Sequence, residues 1–205
     1  MPPAKQRATT LQEKFGFVDE ELKTPQHDAM MMWIDQHAEE LIREYFSVPS
    51  TWSDESVARI RSEADQIARS KFSKLQWNGL GNPPARKIKI GRKIWESPIV
   101  TSKGFAVGFA DMEVPVELPK QLSSSYPEVY GREVDEADLP KWWVEMRRES
   151  VIFEAKTSIR SVGELIRQIR LYQEYKKGHY IVVSHEDKFA DVLREQGIQF
   201  VKLED

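Results

Sequence analysis

The chain has 205 residues, 40% of them hydrophobic and none of them cysteine, and carries a formal net charge of -3. This length and apolar content supply one sizeable core, and the missing cysteine excludes disulfides, iron-sulfur clusters and thiolate zinc sites, so any metal must sit on Asp, Glu or His in a reducing setting. The charge balance argues against a dedicated cationic coat for nucleic acid and leaves room for local basic patches beside acidic, metal-holding residues.

Met-Pro-Pro-Ala-Lys-Gln-Arg at the start lacks the apolar core of a signal peptide, and the longest greasy run, Ala29 to Ile34, is far too short to span a bilayer. A cytoplasmic protein with no membrane partner is expected. Thr24-Pro25 is a cap followed by a first-turn proline, and Met30, Ile34, His37, Leu41 and Tyr45 then share a helical face, ending near Val48-Pro49. Thr51-Trp-Ser-Asp54 resembles a capping box, with Val57, Ile60, Ala64, Ile67 and Ala68 as the stripe of a second helix to about Phe72. Asn78 to Pro84 is loop punctuation, and in Arg86 to Lys93 charge alternates with isoleucine at the period of a strand. Strands are predicted over Ile94 to Val100 and over Phe105 to Val114.

Residues 115–149 change character, with Ser123-Ser-Ser-Tyr-Pro127 loop-like, Glu133 to Asp138 acidic, and Leu139-Pro-Lys-Trp-Trp143 opening a short helix, and they read as an insertion. Val151 to Lys156 is the next strand. Ser161 to Tyr175 follows as a helix with Val162, Leu165, Ile166, Ile169 and Tyr172 on one stripe. Tyr180 to Ser184 is a buried strand, Ser184-His-Glu-Asp187 caps a helix through Gln196 that Gly197 stops, and Ile198 to Leu203 closes the chain as a strand. The expected class is α/β, a mixed central sheet flanked by helices. Residues 1–50 form an N-terminal helical segment packed on a core of 51–205, in a single domain overall.

Strand alternation puts Glu154 and Lys156 on one face of their strand, and Asp111 and Glu113 on one face of theirs. If the two strands are neighbours, Asp111 and Glu154 can share a hard divalent cation, magnesium or manganese, through oxygen ligands. Lys156 would then orient a nucleophile or stabilise a pentavalent transition state at phosphorus. Gly108-Phe-Ala-Asp111, Glu154-Ala-Lys156 and Gln168-Ile-Arg-Leu-Tyr172 together resemble the PD-(D/E)xK nuclease superfamily, in particular its RecB-like branch with a Q-x-x-x-Y helix after the lysine strand.

The resemblance covers roughly Ile94 to Leu203. It implies a restriction-endonuclease-like core in which Asp111 and Glu154 bind metal, Lys156 is catalytic, and Gln168 and Tyr172 support the site or touch DNA. It also implies metal-dependent phosphodiester hydrolysis of DNA with a 5'-phosphate product, and a role in repair, recombination, phage or mobile-element biology. The missing cysteines exclude the branch's iron-sulfur subset. The family places an acid or histidine on an early helix. Glu63, His27 and His37 are the candidates here, with Glu113 a further metal ligand or a solvent-facing strand acid.

Arg160, Arg167 and Arg170, and the Arg86 to Lys93 run, can track a phosphate backbone or stand as solvated faces. Trp142-Trp143 either anchor the insertion or stack on bases or on a protein partner. The alternative to catalysis is a non-catalytic nucleic-acid-binding or protein-interaction module on the same fold.

Overall fold

Thr24 caps the first helix, α1 (Pro25–Phe46), as the sequence predicts: its hydroxyl accepts from the His27 N–H and its carbonyl from the Asp28 N–H, both at 3.2 Å. The first of these bonds satisfies a donor that the first turn leaves without a partner, and the second is the first intrahelical bond. The structure is a computed structural model describing residues 24–129 and 132–204; residues 1–23, grouped with α1 in the sequence reading, lie outside the described residues. The buried face of α1 is His27, Met30, Met31, Ile34, Ala38 and Ile42. Ala38 and Ile42 take the places expected for His37 and Leu41, because a stripe of 3.6-residue turns begun at His27 runs about one position away from one begun at Met30. His37 instead stacks on Trp33, with ring centroids 4.3 Å apart, and its Nδ1 lies 2.8 Å from the Trp33 carbonyl oxygen.

Helix α2 (Asp54–Lys71) is capped by Ser53, two residues later than the expected start of the box, with the Ser56 N–H donating to Ser53 Oγ at 3.3 Å. Strands β1 (Lys89–Ile90), β2 (Ile94–Val100), β3 (Ala106–Ser125) and β4 (Lys141–Lys156) follow. Helix α3 (Val162–Tyr175), strand β5 (His179–Ser184), helix α4 (Ala190–Glu195) and strand β6 (Gln199–Lys202) complete the described chain. The class is mixed α/β, with one six-stranded sheet in the order β1-β3-β4-β5-β6 and β2 paired antiparallel to β3. Strands β4, β5 and β6 run parallel, in a register that sets Glu154 beside Val182 and Lys156 beside Ser184.

Two expectations are corrected. The strand predicted over Phe105 to Val114 continues to Ser125, and Trp142-Trp143 lie in β4 rather than in a short helix. Between these strands, among the described residues, the regular structure is one 3-10 turn, Glu136–Asp138. Pro115 and Pro119 lie inside β3, where proline gives up only its donor. Its carbonyl still pairs, as Pro115 O does with the Gly91 N–H at 2.7 Å. The last helix is also shorter than predicted, because Ser184 Oγ accepts from the Glu186 N–H in a turn and regular helix begins only at Ala190.

Contacts divide the chain into two compact units. One comprises the described residues of Met1–Tyr45, Ile90–Val116 and Glu149–Asp205, the other Phe46–Lys89 and Glu117–Arg148. In the first, Ile99, Val107, Ile152, Ile169, Val182, Leu193 and Phe200 form one buried cluster, each worth about 1.5–3 kcal/mol of burial. In the second, the Trp52 indole donates to Pro84 O at 2.9 Å, Trp142 to Gly81 O at 3.1 Å, and Trp77 to Asp65 at 2.7 Å. These bonds pin the glycine- and proline-rich stretch that reads as loop. Among the described residues no helix is long and apolar enough to cross a membrane.

Gly178, in the turn between α3 and β5, lets the chain close onto β4: a Cβ there would stand 2.8 Å from Ser150 O and 3.0 Å from Ile152 Cδ1. The nearer neighbour is backbone and cannot swing aside. Gly178→Ala should therefore cost about 1–3 kcal/mol as an overpacking change, read as a lower denaturant midpoint at unchanged m-value. A wild-type midpoint would show that the turn has room.

Candidate functional site

Four elements of the first unit bring six side chains together. Strand β3 supplies Asp111, β4 supplies Glu154 and Lys156, α3 supplies Gln168 and Tyr172, and α1 supplies His27. All six are at least nine-tenths buried, Glu154 at 2% exposure and Lys156 at 8%. The tie between the strands is a hydrogen bond from the Ala155 N–H to Asp111 Oδ2, 2.8 Å long. Ala155 stands between Glu154 and Lys156, so this bond sets the carboxylate of β3 against the acid-x-lysine pair of β4.

Lys156 Nζ lies 3.1 Å from Glu154 Oε1, and Gln168 Nε2 donates to the same oxygen at 2.9 Å. Gln168 and Tyr172 are four apart on a helix and therefore neighbours, and Gln168 Nε2 is 3.1 Å from the Tyr172 hydroxyl. That hydroxyl donates in turn to Phe109 O on β3 at 3.3 Å, closing a ring from β3 through β4 and α3 back to β3. Burial, then the charge of Glu154, push the Tyr172 phenol well above its usual range, so it stays protonated and acts as a donor rather than a base.

His27 is the residue the sequence leaves open. Its Nε2 stands 3.4 Å from Asp111 Oδ1, which singles it out among the early-helix candidates. His37 is engaged with Trp33, and Glu63 is exposed in an i,i+4 pair with Arg59 at 2.7 Å, in the other unit. The cap supplies the signal that finds His27: with Pro25 fixed as the first residue, position 27 begins the buried stripe.

Glu113 has a different setting from Asp111, two residues away. Ser97 Oγ donates to its Oε2 at 2.5 Å, Ser150 Oγ to its Oε1 at 2.9 Å, and the Lys176 ammonium makes a short ion pair with Oε2. Lys176 also donates to Ser97 Oγ at 2.8 Å. Burial pushes this carboxyl up, but hydrogen bonds from Lys176, Ser97 and Ser150 and the charge of Lys176 outweigh it and hold the group below the usual glutamate range. Glu113 is thus buried and bonded at both oxygens.

Arg160 and Arg167 are exposed, at the approach to α3 and on its outer face. Arg170 bonds to Gln173 and to the Gln196 carbonyl, and Lys93 pairs with Asp35 of α1 at 3.5 Å. Glu96 of β2 falls between the paired Trp95↔Met112 and Ser97↔Ala110, facing the position of Asp111, with φ 48°. A glutamate in that left-handed conformation is strained by roughly 1–3 kcal/mol.

An imidazole and two carboxylates are a donor set suited to a hard divalent cation. Among the described residues no three such side chains already stand in a metal-holding group. Asp111 and His27 form a pair, and Glu154 Oε1 is engaged by Lys156 and Gln168. Comparisons with protein-family models, with curated proteins and with solved structures find no match.

The Glu113 cluster generates a pH prediction. Its folded pKa is depressed, so the ion pair contributes fully above the ordinary glutamate value of about 4.3 and fades as pH falls through the lower folded value. Glu113→Gln should cost about 2 kcal/mol at neutral pH by leaving Lys176 unmatched. That difference should shrink in denaturant melts once the pH drops below about 4. A pH-independent difference would mean that the amide loses only packing.

Proposed function

We propose that this chain is a divalent-metal-dependent nuclease of the PD-(D/E)xK kind, RecB-like in its motifs, with a restriction-endonuclease-like core and DNA as substrate. One observation carries the reading: the Ala155 N–H bond that joins Asp111 to the Glu154-x-Lys156 strand, with Gln168 and Tyr172 bonded behind it. Three motifs far apart in sequence meet in one buried cluster, an arrangement that a solvent-facing ion pair on an edge strand does not require.

Asp111 and Glu154 are the residues that would hold magnesium or manganese, with His27 beside Asp111 as the nitrogen donor. A bound divalent cation supplies charge neutralisation at a phosphodiester and a bound water more acidic than bulk water. Gln168 fixes the plane of the Glu154 carboxylate, and Tyr172 fixes Gln168. The Lys156 ammonium, now on Glu154, is the group that stabilises charge developing on phosphate oxygens or orients the attacking water. Within these side chains two carboxylates face one ammonium, and His27 adds charge only when protonated. A cation therefore suits the cluster electrostatically.

A second reading, a non-catalytic module on the same fold, draws on the closed Glu154–Lys156 pair at 3.1 Å, since a structural ion pair has that geometry as well.

The test compares wild type and Lys156→Ala on labelled single-stranded, linear duplex and branched DNA, with magnesium, manganese or chelator. Cleavage should need metal and fall about 10²–10³-fold in the variant. Manganese should also raise the melting temperature of wild type but not of Asp111→Asn, because only a state that binds the ion is stabilised by it. If no substrate is cut and calorimetry detects no manganese binding dependent on Asp111 and Glu154, the nuclease reading fails and the second takes its place.

A further inference from the structure

The first half of β4 carries a face that the hydrolytic site does not use. From Lys141 to Arg147 exposure alternates: Lys141, Trp143, Glu145 and Arg147 are open to solvent, while Trp142, Val144 and Met146 are half-buried. Trp143 is 58% exposed, although a large apolar ring on an alternating strand ordinarily belongs on the covered face. Its neighbour Trp142 takes that place, with the indole bonded to Gly81 O. Two successive tryptophans thus point to opposite sides, one structural and one presented.

The exposed side of this stretch carries Lys141 and Arg147, with Lys120 of β3 alongside, against one acid. Glu145, the one acid on the exposed side of this stretch, is paired with Lys120 of β3 at 2.8 Å. Arg132 grips Asp138 with both of its terminal nitrogens, and Lys141 adds its charge beside that carboxylate. Arg148 and Lys89 share the single carboxylate of Glu117, at 3.3 and 3.2 Å. The unit holding this face, residues 46–89 and 117–148, has thirteen Lys and Arg against eleven Asp and Glu, whereas the remaining segments have seventeen against twenty-two. The unit is thus slightly cationic, its surplus lying in 46–89 with eight against four while 117–148 has five against seven, and the remaining segments are acidic.

We infer that the exposed face of β4, Trp143 between Lys141 and Arg147 with Lys120 alongside, binds single-stranded DNA, with a base stacked on the indole and the flanking phosphates on the cations. Alternate strand residues stand about 7 Å apart, so a cation lies one such step before the ring and another two steps after it. That spacing suits an extended polyanion crossing the strand. An exposed indole offers a π-face that any unpaired base can cover, and the affinity is sequence-tolerant. Duplex bases already cover one another and have no face to give. A protein-docking core is instead depleted of lysine and charge around its aromatic anchor, the opposite of this surface. The inference rests on the nuclease reading only for its purpose, by naming the form of DNA delivered to that chemistry; the binding itself is independent of hydrolysis.

The experiment uses the full chain carrying Lys156→Ala, in chelator, so that no cleavage intervenes. Labelled oligo-dT and a duplex of equal length are titrated while tryptophan fluorescence is followed. Oligo-dT should bind more tightly than duplex, quench the fluorescence, and weaken as salt is raised. Trp143→Ala should lower oligo-dT affinity about tenfold and remove most of the quench, while Trp143→Phe restores affinity by keeping an aromatic face. Lys141→Ala with Arg147→Ala should flatten the salt dependence. Equal affinity for duplex and single strand, an undiminished quench in Trp143→Ala, or no binding at low salt overturns the proposal; the last result assigns the face to a protein partner. Loss of cleavage by the wild-type chain with binding intact would count against the nuclease reading alone.

Discussion

The Ala155 N–H donates to Asp111 Oδ2 across 2.8 Å, and the buried cluster around Glu154 and Lys156 depends on that one bond. A backbone donor in the middle of a sheet normally meets a carbonyl of the next strand. Here it meets Asp111 Oδ2, so a side-chain oxygen takes the place of a strand carbonyl and is held where the residue is buried. Because Ala155 lies between Glu154 and Lys156, the bond also decides what Asp111 can reach. The acid, the acid-x-lysine pair and the donor that joins them come from two neighbouring strands, so the sheet builds the constellation and no loop has to hold it.

Two acids two residues apart on β3 show how the sheet separates structure from chemistry. Glu113 has its own ammonium, Lys176, and two serine hydroxyls, so its charge is balanced where it stands. Asp111 has a histidine and a backbone donor, and across from it Glu154 Oε1 takes both the Lys156 ammonium and the Gln168 amide. Burial of the first set costs little beyond desolvation that the ion pair offsets. Burial of the second leaves carboxylate in excess of ammonium within the cluster, an arrangement that a purely structural core does better without. The contrast between the two sets, rather than either alone, is what sets Asp111 and Glu154 apart from Glu113.

The sequence shows most clearly those parts of the fold that local physics determines. Thr24-Pro25 opens α1 where the cap rule puts it, Ser161 caps α3 by accepting from Glu164, and Gly197 ends α4 at φ 71°. Strand alternation, which is short-range geometry, puts Glu154 with Lys156 and Asp111 with Glu113, while Gln168 and Tyr172 stand out only through the resemblance to a Q-x-x-x-Y helix. What could not be read were the long-range terms. The true lengths of β3 and β4 were hidden by prolines whose carbonyls still pair, and by a tryptophan pair whose period-2 alternation continues through Val144 to Arg147. The cap brings His27 into the candidate set, but its contact with Asp111 depends on where α1 packs, which no periodicity of α1 itself reveals.

Tyr172 shows why fold and site are hard to separate in this chain. It is a fully buried member of the α3 stripe, packed with Ile169 and Val182, and by that measure a core residue. Its hydroxyl nonetheless spans from Gln168 to the carbonyl of Phe109, two residues before Asp111, and so anchors the helix to the strand that carries the acid. A phenylalanine would keep the packing and lose both bonds, freeing Gln168 to leave Glu154. The i,i+4 spacing of a helix thus converts core packing into control of a carboxylate oxygen. The same side chain supplies stability through its ring and orientation through its oxygen.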